Sequence, residues 1–226
     1  MKVAALFSGG KDSSLAMHKE MENNEIVCLI SVISRNKESY MFHTPNIDIT
    51  QLQSEAIGIP LLQKFTEGVK EEELSDLRDA ISDAKESYDI EGIVTGAVES
   101  VYQSSRIQKI CDELGLQCLN PLWKMDQKRL LEEVVSEGFD VIISGFFAYP
   151  LDRKWLGRKI DTETIAELVA LREKHRISPA GEGGEIETTV LDAPFFGKRI
   201  EIRDTEIHTE EYSGVMEIKK AELVTK

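Results

Sequence analysis

An apolar run near the N-terminus passes directly into a glycine-rich polar loop, and this feature constrains the fold more than any other. The segment ALFSGGKDSSLAM comprises residues 5–17, and its loop, SGGKDS, comprises residues 8–13. Leu15, Met17 and Met21 recur as the apolar members of a helix that follows the loop. Glycines let the backbone approach a ligand closely, and the amino end of a helix favours an anion. The order strand, loop, helix therefore predicts an α/β unit that binds phosphate at its first loop.

The loop residues are of types that bind a phosphate group. Backbone N–H groups and serine hydroxyls donate hydrogen bonds, and a lysine adds a positive charge. We expect Ser8, Gly9, Gly10, Lys11, Asp12 and Ser13 to contact the nucleotide. Asp12 is either a ligand of Mg²⁺ or a helix-capping residue, and the sequence leaves both open. The spacing differs from the P-loop and from GxGxxG. It resembles the pyrophosphate-binding loop (PP-loop) of the N-type ATP pyrophosphatases, which cleave ATP between the α and β phosphates.

Strand-like and helix-like segments alternate along the chain, which predicts βαβ units and a parallel sheet with helices on both faces. The β-rich runs are residues 3–7, 26–33, 60–63, 92–95, 117–119 and 141–144, and the helical faces include residues 74–84, 107–114 and 130–135.

The pattern changes from about residue 151. A helix begins near Asp161 or Thr162, residues 199–203 alternate as a half-buried antiparallel strand does, and residues 213–214 predict a turn before a last strand at 215–219. We therefore predict a nucleotide-binding domain at residues 1–123 and a smaller α+β domain at residues 124–226.

Charge and composition limit the classes of function. The formal net charge is −14, from 27 basic and 41 acidic residues, which disfavours general binding to nucleic acid. No apolar stretch reaches the roughly 18 residues of a membrane span, and we expect no secretory signal at the N-terminus. The three cysteines have no metal-ligand spacing. We expect a cytoplasmic protein with no membrane partner.

Five further motifs resemble, in order, those of the diphthine–ammonia ligase family. They are SYMFH (39–43), GAVESVYQSSR (96–106), NPLW (120–123), DRKWLGR (152–158) and GEGGEIETTVLDAPFF (181–196). The resemblance implies a HUP-like Rossmannoid domain followed by a family-specific domain. It also implies ATP-dependent amidation of diphthine, a modified histidine of translation elongation factor 2, by ammonia. AMP and pyrophosphate would be released, with Mg²⁺ as a cofactor. A homodimer is left open.

The resemblance also implies roles for particular residues. Lys11 and Asp12 would act in catalysis together with Glu182, Glu185 and Glu187, and any of these three glutamates could take a proton from ammonium. The further nucleotide-binding residues would be His43, Gly96 and Arg106, and the substrate-binding residues Tyr102, Trp155, Arg158, Gly183, Gly184 and Thr188. Phe195 and Phe196, with Tyr102 and Trp155, are candidate aromatic walls for the trimethylammonium group of diphthine. One departure is Ile186, where the family usually has an aromatic residue.

Other interpretations of the same residues stay open. Trp155 is equally consistent with core packing, and Arg106 and Arg158 with surface ion pairs. A PP-loop enzyme that modifies tRNA, another AMP-forming ligase, or a nucleotide sensor without turnover would share the first loop.

Overall fold

The computed structural model describes residues 1–36, 46–69 and 72–226. The predicted motif at residues 39–43, including His43, therefore lies outside the described residues. Among the described helices, none combines the length and the apolar content that crossing a bilayer requires.

The first part of the chain forms a five-stranded parallel sheet of order β3-β2-β1-β4-β5. Its strands are β1 (Lys2–Leu6), β2 (Glu25–Ser34), β3 (Leu61–Thr66), β4 (Gly92–Val94) and β5 (Gln117–Leu119). Its helices are α1 (Lys11–Glu20), α2 (Thr50–Ile57), α3 (Glu72–Tyr88) and α4 (Val101–Leu114). Ala5 of β1 lies opposite Leu29 of β2 on one side and Val94 of β4 on the other. The predicted parallel α/β fold is confirmed.

Both faces of the parallel sheet are covered by helices. One face packs on α3 and α4 through an apolar cluster that includes Leu77, Ile81 and Ile110. The other face packs on α1 through Leu15 and Met17, and this second cluster continues without interruption into the rest of the chain. Such burial on both faces is typical of parallel sheets.

The second part forms a four-stranded antiparallel sheet of order β7-β6-β9-β8. It contains α5 (Gln127–Ser136), β6 (Asp140–Phe146), α6 (Thr162–His175), β7 (Ile186–Asp192), β8 (Arg199–Thr209) and β9 (Gly214–Val224). The Asp161 side chain caps α6 by accepting a hydrogen bond from the Thr164 N–H at 2.8 Å.

Two sequence predictions need correction in this part. The run at residues 141–144 is a strand, but it belongs to the antiparallel sheet, because β6 pairs with β7 and β9 rather than with a parallel neighbour. Gly214 begins β9 instead of lying in the turn, which is closed by the Glu210 N–H and the Ser213 carbonyl at 2.8 Å. The boundary at residues 123 and 124 stays a prediction.

Candidate active site

The SGGKDS loop (residues 8–13) follows the carboxyl end of β1, and α1 begins within it. Gly10 is the N-cap residue, and Gly9 has a φ of +77°, a conformation that side chains other than glycine rarely adopt. The Ser13 hydroxyl lies 3.2 Å from both the Ser8 hydroxyl and the Gly10 carbonyl. The loop is thus closed on itself, with its backbone turned around the start of a helix.

Gln53 of α2 forms hydrogen bonds that fix this loop in place. Its side chain is fully buried, and its Nε2 donates to the Gly9 carbonyl at 2.9 Å and to the Val190 carbonyl at 2.8 Å. The Val190 N–H donates to the same Gly9 carbonyl at 3.0 Å. Gln53 was not predicted from the sequence, although its spacing from the buried residues Ile49 and Ala56 places it on the inner face of a helix.

Gly96, at the carboxyl end of β4, allows a second loop to touch the first. A Cβ atom at Gly96 would lie 2.8 Å from the backbone of both Asp12 and Ser13. Backbone atoms cannot move aside as the end of a flexible side chain can, so this position requires glycine.

Lys11 connects the first loop to the acidic segment 181–188. Its side chain is almost completely buried, and its Nζ donates to Asp12 Oδ2 at 2.8 Å and to the Ala180 carbonyl at 2.5 Å. The Lys11 N–H donates to Thr188 Oγ1 at 3.1 Å. Lys11 thus joins residues that are about 170 positions apart in the chain.

These loops enclose one cavity of about 540 Å³, a volume suited to a small-molecule ligand. Glu182 and Glu187 line it together with eight of the predicted loop and substrate residues. These eight are Ser8, Gly10, Lys11, Asp12, Gly96, Gly183, Gly184 and Thr188, and Val98, Ser100, Gln103 and Phe147 are among the other lining residues. Gly9 and Ser13 belong to the same loop and are not among the described lining residues.

Two glutamates of the cavity have strongly perturbed acidities. Burial, reinforced by the charge of Asp12, raises the pKa of Glu182 to about 7, and burial likewise raises the pKa of Glu187 to about 7 against the attraction of Lys11. Burial alone would lower the pKa of the Lys11 ammonium, but Asp12, Glu182 and Glu187 outweigh it and raise that pKa. Near neutral pH the cavity therefore holds a charged lysine and two glutamates able to exchange a proton.

Asp12 has an oxygen suited to a cation. Its Oδ1 is buried without a hydrogen-bond partner, while its Oδ2 accepts from Lys11. No side-chain capping bond is found at the start of α1, so the alternative helix-capping role is not observed. Among the described residues, three ligand atoms approach within 4.8 Å of one another only on the β8–β9 hairpin. The residues fit Mg²⁺ held by Asp12 together with phosphate oxygens, which is how this ion commonly binds.

Glu185 does not share the cavity with the other two glutamates. Its carboxylate accepts hydrogen bonds from the Ser178 N–H at 2.8 Å and the Gly183 N–H at 2.9 Å. It lines a neighbouring cleft of about 480 Å³, and Glu182 and Gly183 of the glycine-rich loop line both the cleft and the cavity. This geometry is that of a residue that orders the loop.

Gln127 forms hydrogen bonds to the segment before that loop. It was also not predicted from the sequence. Its Oε1 accepts from the Ser178 hydroxyl at 2.7 Å and from the Ala180 N–H at 3.1 Å. Its Nε2 donates to Glu99 Oε2 at 3.2 Å. Gln127 follows the N-cap Asp126 directly, and nothing in the local sequence distinguishes it from a solvent-facing residue of the first helical turn.

Four other predicted side chains are found away from the described lining of the cavity. The Arg106 guanidinium lies over the Tyr102 ring at 3.5 Å. Trp155 is part of the core, and Arg158 lies over its ring at 4.8 Å while pairing with Glu167 at 2.6 Å. For Trp155 and Arg158, these contacts correspond to the packing and ion-pair alternatives that the sequence left open.

The predicted aromatic walls at residues 195 and 196 also have other partners. Phe195 stacks on His18 with ring centroids 5.5 Å apart, and Phe196 is buried in the core.

A parallel sheet with a cavity between the loops that follow β1 and β4, at the carboxyl ends of those strands, defines an α/β nucleotide-binding protein. Family models described as the diphthamide synthase N-terminal domain and C-terminal domain match residues 1–118 and 126–224. The chain belongs to the diphthamide synthase family.

Known relatives carry one shared name. The diphthine–ammonia ligase of Schizosaccharomyces pombe is 35% identical over 224 residues, which cover 92% of this chain and 37% of that protein. The diphthine–ammonia ligase of Bos taurus is 35% identical over 229 residues, which cover 92% of this chain and 85% of that protein. A solved 4-thiouridine synthetase–RNA complex with bound ATP shares 16% identity at a TM-score of 0.46, over 84% of this chain and 55% of that one. This last likeness is too distant to bear on function.

Proposed function

We propose that this chain is a carbon–nitrogen ligase that amidates diphthine with ammonia, with cleavage of ATP to AMP and pyrophosphate. The observation that carries the proposal is the single cavity in which the SGGKDS loop, the segment after β4 and the acidic segment 181–188 meet. The relatives named diphthine–ammonia ligase support this reaction over modification of tRNA or nucleotide sensing. The protein substrate would be translation elongation factor 2, in the cytoplasm.

In the first step, a carboxylate oxygen of diphthine attacks the α-phosphorus of ATP, and the bond to the pyrophosphate oxygen breaks. The Lys11 ammonium, the loop N–H groups and the Ser8 hydroxyl neutralise the leaving pyrophosphate. Because little covalent chemistry falls to the side chains, positioning and charge neutralisation supply most of the catalysis. Mg²⁺, held by Asp12 and phosphate oxygens, would add positive charge at the phosphates.

In the second step, ammonium loses a proton to a cavity carboxylate, and the free ammonia attacks the carbonyl carbon of the adenylate. The attached nitrogen then loses a second proton to solvent, the bond to the AMP oxygen breaks, and the amide is formed. Glu182 and Glu187 are the candidates for the proton acceptor, because each has a pKa of about 7 and both line the cavity. Glu185 would act by ordering the loop that holds Glu182.

The test is the dependence of pyrophosphate release on each substrate. Incubation with ATP, an ammonium salt and diphthine-bearing elongation factor 2 is expected to give AMP, pyrophosphate and amidated factor in equal amounts. Omission of ammonium or of the factor should stop amide formation. Products of ADP and orthophosphate, or release that depends on tRNA, would contradict the proposal.

Removal of the Lys11 ammonium tests the role of the first loop. Lys11→Ala is expected to raise the dissociation constant of ATP by about tenfold or more, which corresponds to about 1.4 kcal/mol or more, and to slow adenylation. Lys19→Ala is the matched control, since Lys19 lies on the same helix and pairs with Glu133. If both variants bind ATP with equal affinity, Lys11 does not contribute to phosphate binding.

A further inference from the structure

One aromatic side chain belongs to the cavity, and the sequence did not point to it. Among the described residues that line the cavity, Phe147 is the only aromatic one. It follows the last residue of β6, and 38% of its surface is exposed. Its N–H donates to the Glu185 carbonyl at 2.9 Å, so its backbone is fixed to the segment that carries the cavity glutamates.

The Phe147 ring lies next to Glu187. Gly145 of β6 pairs with Glu187 of β7 across the antiparallel ladder, and paired residues present their side chains on the same face. A Cβ atom at Gly145 would lie 2.9 Å from Cε2 of Phe147 and 3.4 Å from Cβ of Glu187. The absence of a side chain at Gly145 therefore lets the ring and the glutamate occupy adjoining space.

The charges of the cavity favour a second cation beside the nucleotide. Lys11 is the single basic residue among the described lining residues, against the carboxyl groups of Asp12, Glu182 and Glu187. A quaternary ammonium group cannot donate a hydrogen bond, so proteins bind it with aromatic faces and nearby negative charge. Phe147 supplies the aromatic ring, and the neighbouring Glu187 supplies the negative charge.

We infer that Phe147 and Glu187 form the binding site for the trimethylammonium group of diphthine. The inference rests on the proposed function and assigns the part of the cavity that recognises the protein substrate. The trimethylammonium group is adjacent to the carboxylate that is amidated, so its capture by Phe147 and Glu187 holds that carboxylate within the cavity that contains the phosphate loop. It also replaces the aromatic walls expected at residues 102, 155, 195 and 196.

Direct binding of a small quaternary ammonium ion tests the site without turnover. Tetramethylammonium chloride is titrated into the full-length protein, with tert-butanol as the uncharged probe of similar shape. Saturable binding of tetramethylammonium that weakens stepwise as fluorinated phenylalanines replace Phe147 is expected, because fluorine withdraws the negative charge of the ring face. Equal binding across the fluorinated series, or tighter binding of tert-butanol, would overturn the inference.

Kinetics with the protein substrate form the second test. Phe147→Leu is expected to raise KM for diphthine-bearing elongation factor 2 by about tenfold, while ATP affinity stays within about twofold and Phe147→Trp restores KM. Tyr149→Leu is the matched control, because Tyr149 is two residues away, 63% exposed and beyond the described lining of the cavity.

The outcomes separate the inference from the proposed function. If the wild-type protein amidates the factor but Phe147→Leu and Tyr149→Leu behave alike, the inference fails and the function stands. If the wild-type protein forms no AMP, the function fails, and the tetramethylammonium titration alone decides whether Phe147 binds a quaternary cation.

Discussion

Glu187 shows how the chemistry of the cavity opposes stability. Burial, against the attraction of Lys11, raises its pKa from 4.5 to about 7. The folded protein therefore binds this proton more tightly than the unfolded chain, and the free energy of unfolding falls as the pH rises from 4.5 to about 7. Glu187→Gln cannot ionise, and we expect it to be more stable than the wild type at about pH 8 by ~1–3 kcal/mol.

Denaturant unfolding at several pH values measures this difference, which should shrink towards about pH 5. Glu185→Gln is the control. It replaces a carboxylate that accepts two backbone N–H groups, so it should lose stability at both pH values. A Glu187→Gln protein that is less stable than the wild type at about pH 8 would show that ionised Glu187 stabilises the fold.

The same two glutamates predict the pH dependence of amidation. A glutamate accepts a proton or attracts a cation only when ionised, so kcat/KM for the protein substrate should rise as the pH passes through about 7. The measurement is made at a fixed, saturating concentration of ammonium ion, which is the species from which the glutamate takes the proton, so that a change in its supply does not contribute. A profile that is flat between about pH 6 and pH 8 would remove Glu182 and Glu187 from the reaction.

At the scale of elements, α2 reaches the site through one side chain. Gln53 ties the Gly9 carbonyl of the first loop to the Val190 carbonyl of β7. Gln53→Leu removes both bonds from a buried position, so we expect a loss of ~1–3 kcal/mol in the free energy of unfolding. The dissociation constant of ATP should rise by about tenfold as Gly9 loosens.

Gln51→Leu is the matched control for this prediction, because Gln51 is an exposed residue of the same helix and donates a hydrogen bond to Glu55. Calorimetric titration with ATP and denaturant unfolding measure the two effects. Gln53→Glu is a second variant, because an ionised carboxylate cannot donate either bond. If Gln53→Glu binds ATP as tightly as the wild type while remaining less stable, the two donated bonds do not hold the loop for ATP binding.

The sequence predicted the elements well and their pairing less well. Apolar periodicity marked the five strands of the parallel sheet and the helices α1, α3 and α4, whereas α2 was not predicted. Burial on both faces gives the strands continuous apolar runs. The same signal could not assign residues 141–144 to a sheet, since strand partners are chosen by contacts distant in the chain. Strand β7 (Ile186–Asp192) was not predicted, because its residues belong to the acidic motif and do not form a continuous apolar run.

The parts of the site that consist of residues adjacent in the sequence could be predicted. The SGGKDS loop and the acidic segment carry their signals in adjacent residues, and the structure brings both to one cavity. Gln53, Gln127 and Phe147 were not found, because each acts through a partner at least 28 positions away or through a cavity formed by both sheets. Sequence spacing carries no information about such contacts.

At the scale of the whole molecule, the cavity exists only where the two sheets meet. The Gly9 carbonyl accepts from the Val190 N–H, and Lys11 bonds to Ala180 and Thr188. The apolar cluster around α1 continues into α5, α6 and the antiparallel sheet. Because a shared core and a shared site couple the two parts, separation of one from the other would expose apolar surface and leave buried polar groups unpaired.

This coupling predicts one cooperative unfolding transition. The chain has two tryptophans, Trp123 after the parallel sheet and the buried Trp155 beside the antiparallel one. Trp155→Phe leaves the fluorescence of Trp123 as the reporter, and Trp123→Phe leaves that of Trp155. In each variant, the midpoint from tryptophan fluorescence should coincide with that from far-ultraviolet circular dichroism, which follows both sheets.

Saturating ATP should raise the two midpoints of a variant equally, because a ligand of the folded state stabilises everything that unfolds with its site. An ATP shift confined to the Trp123 reporter would mean that the parallel sheet binds the nucleotide and unfolds independently.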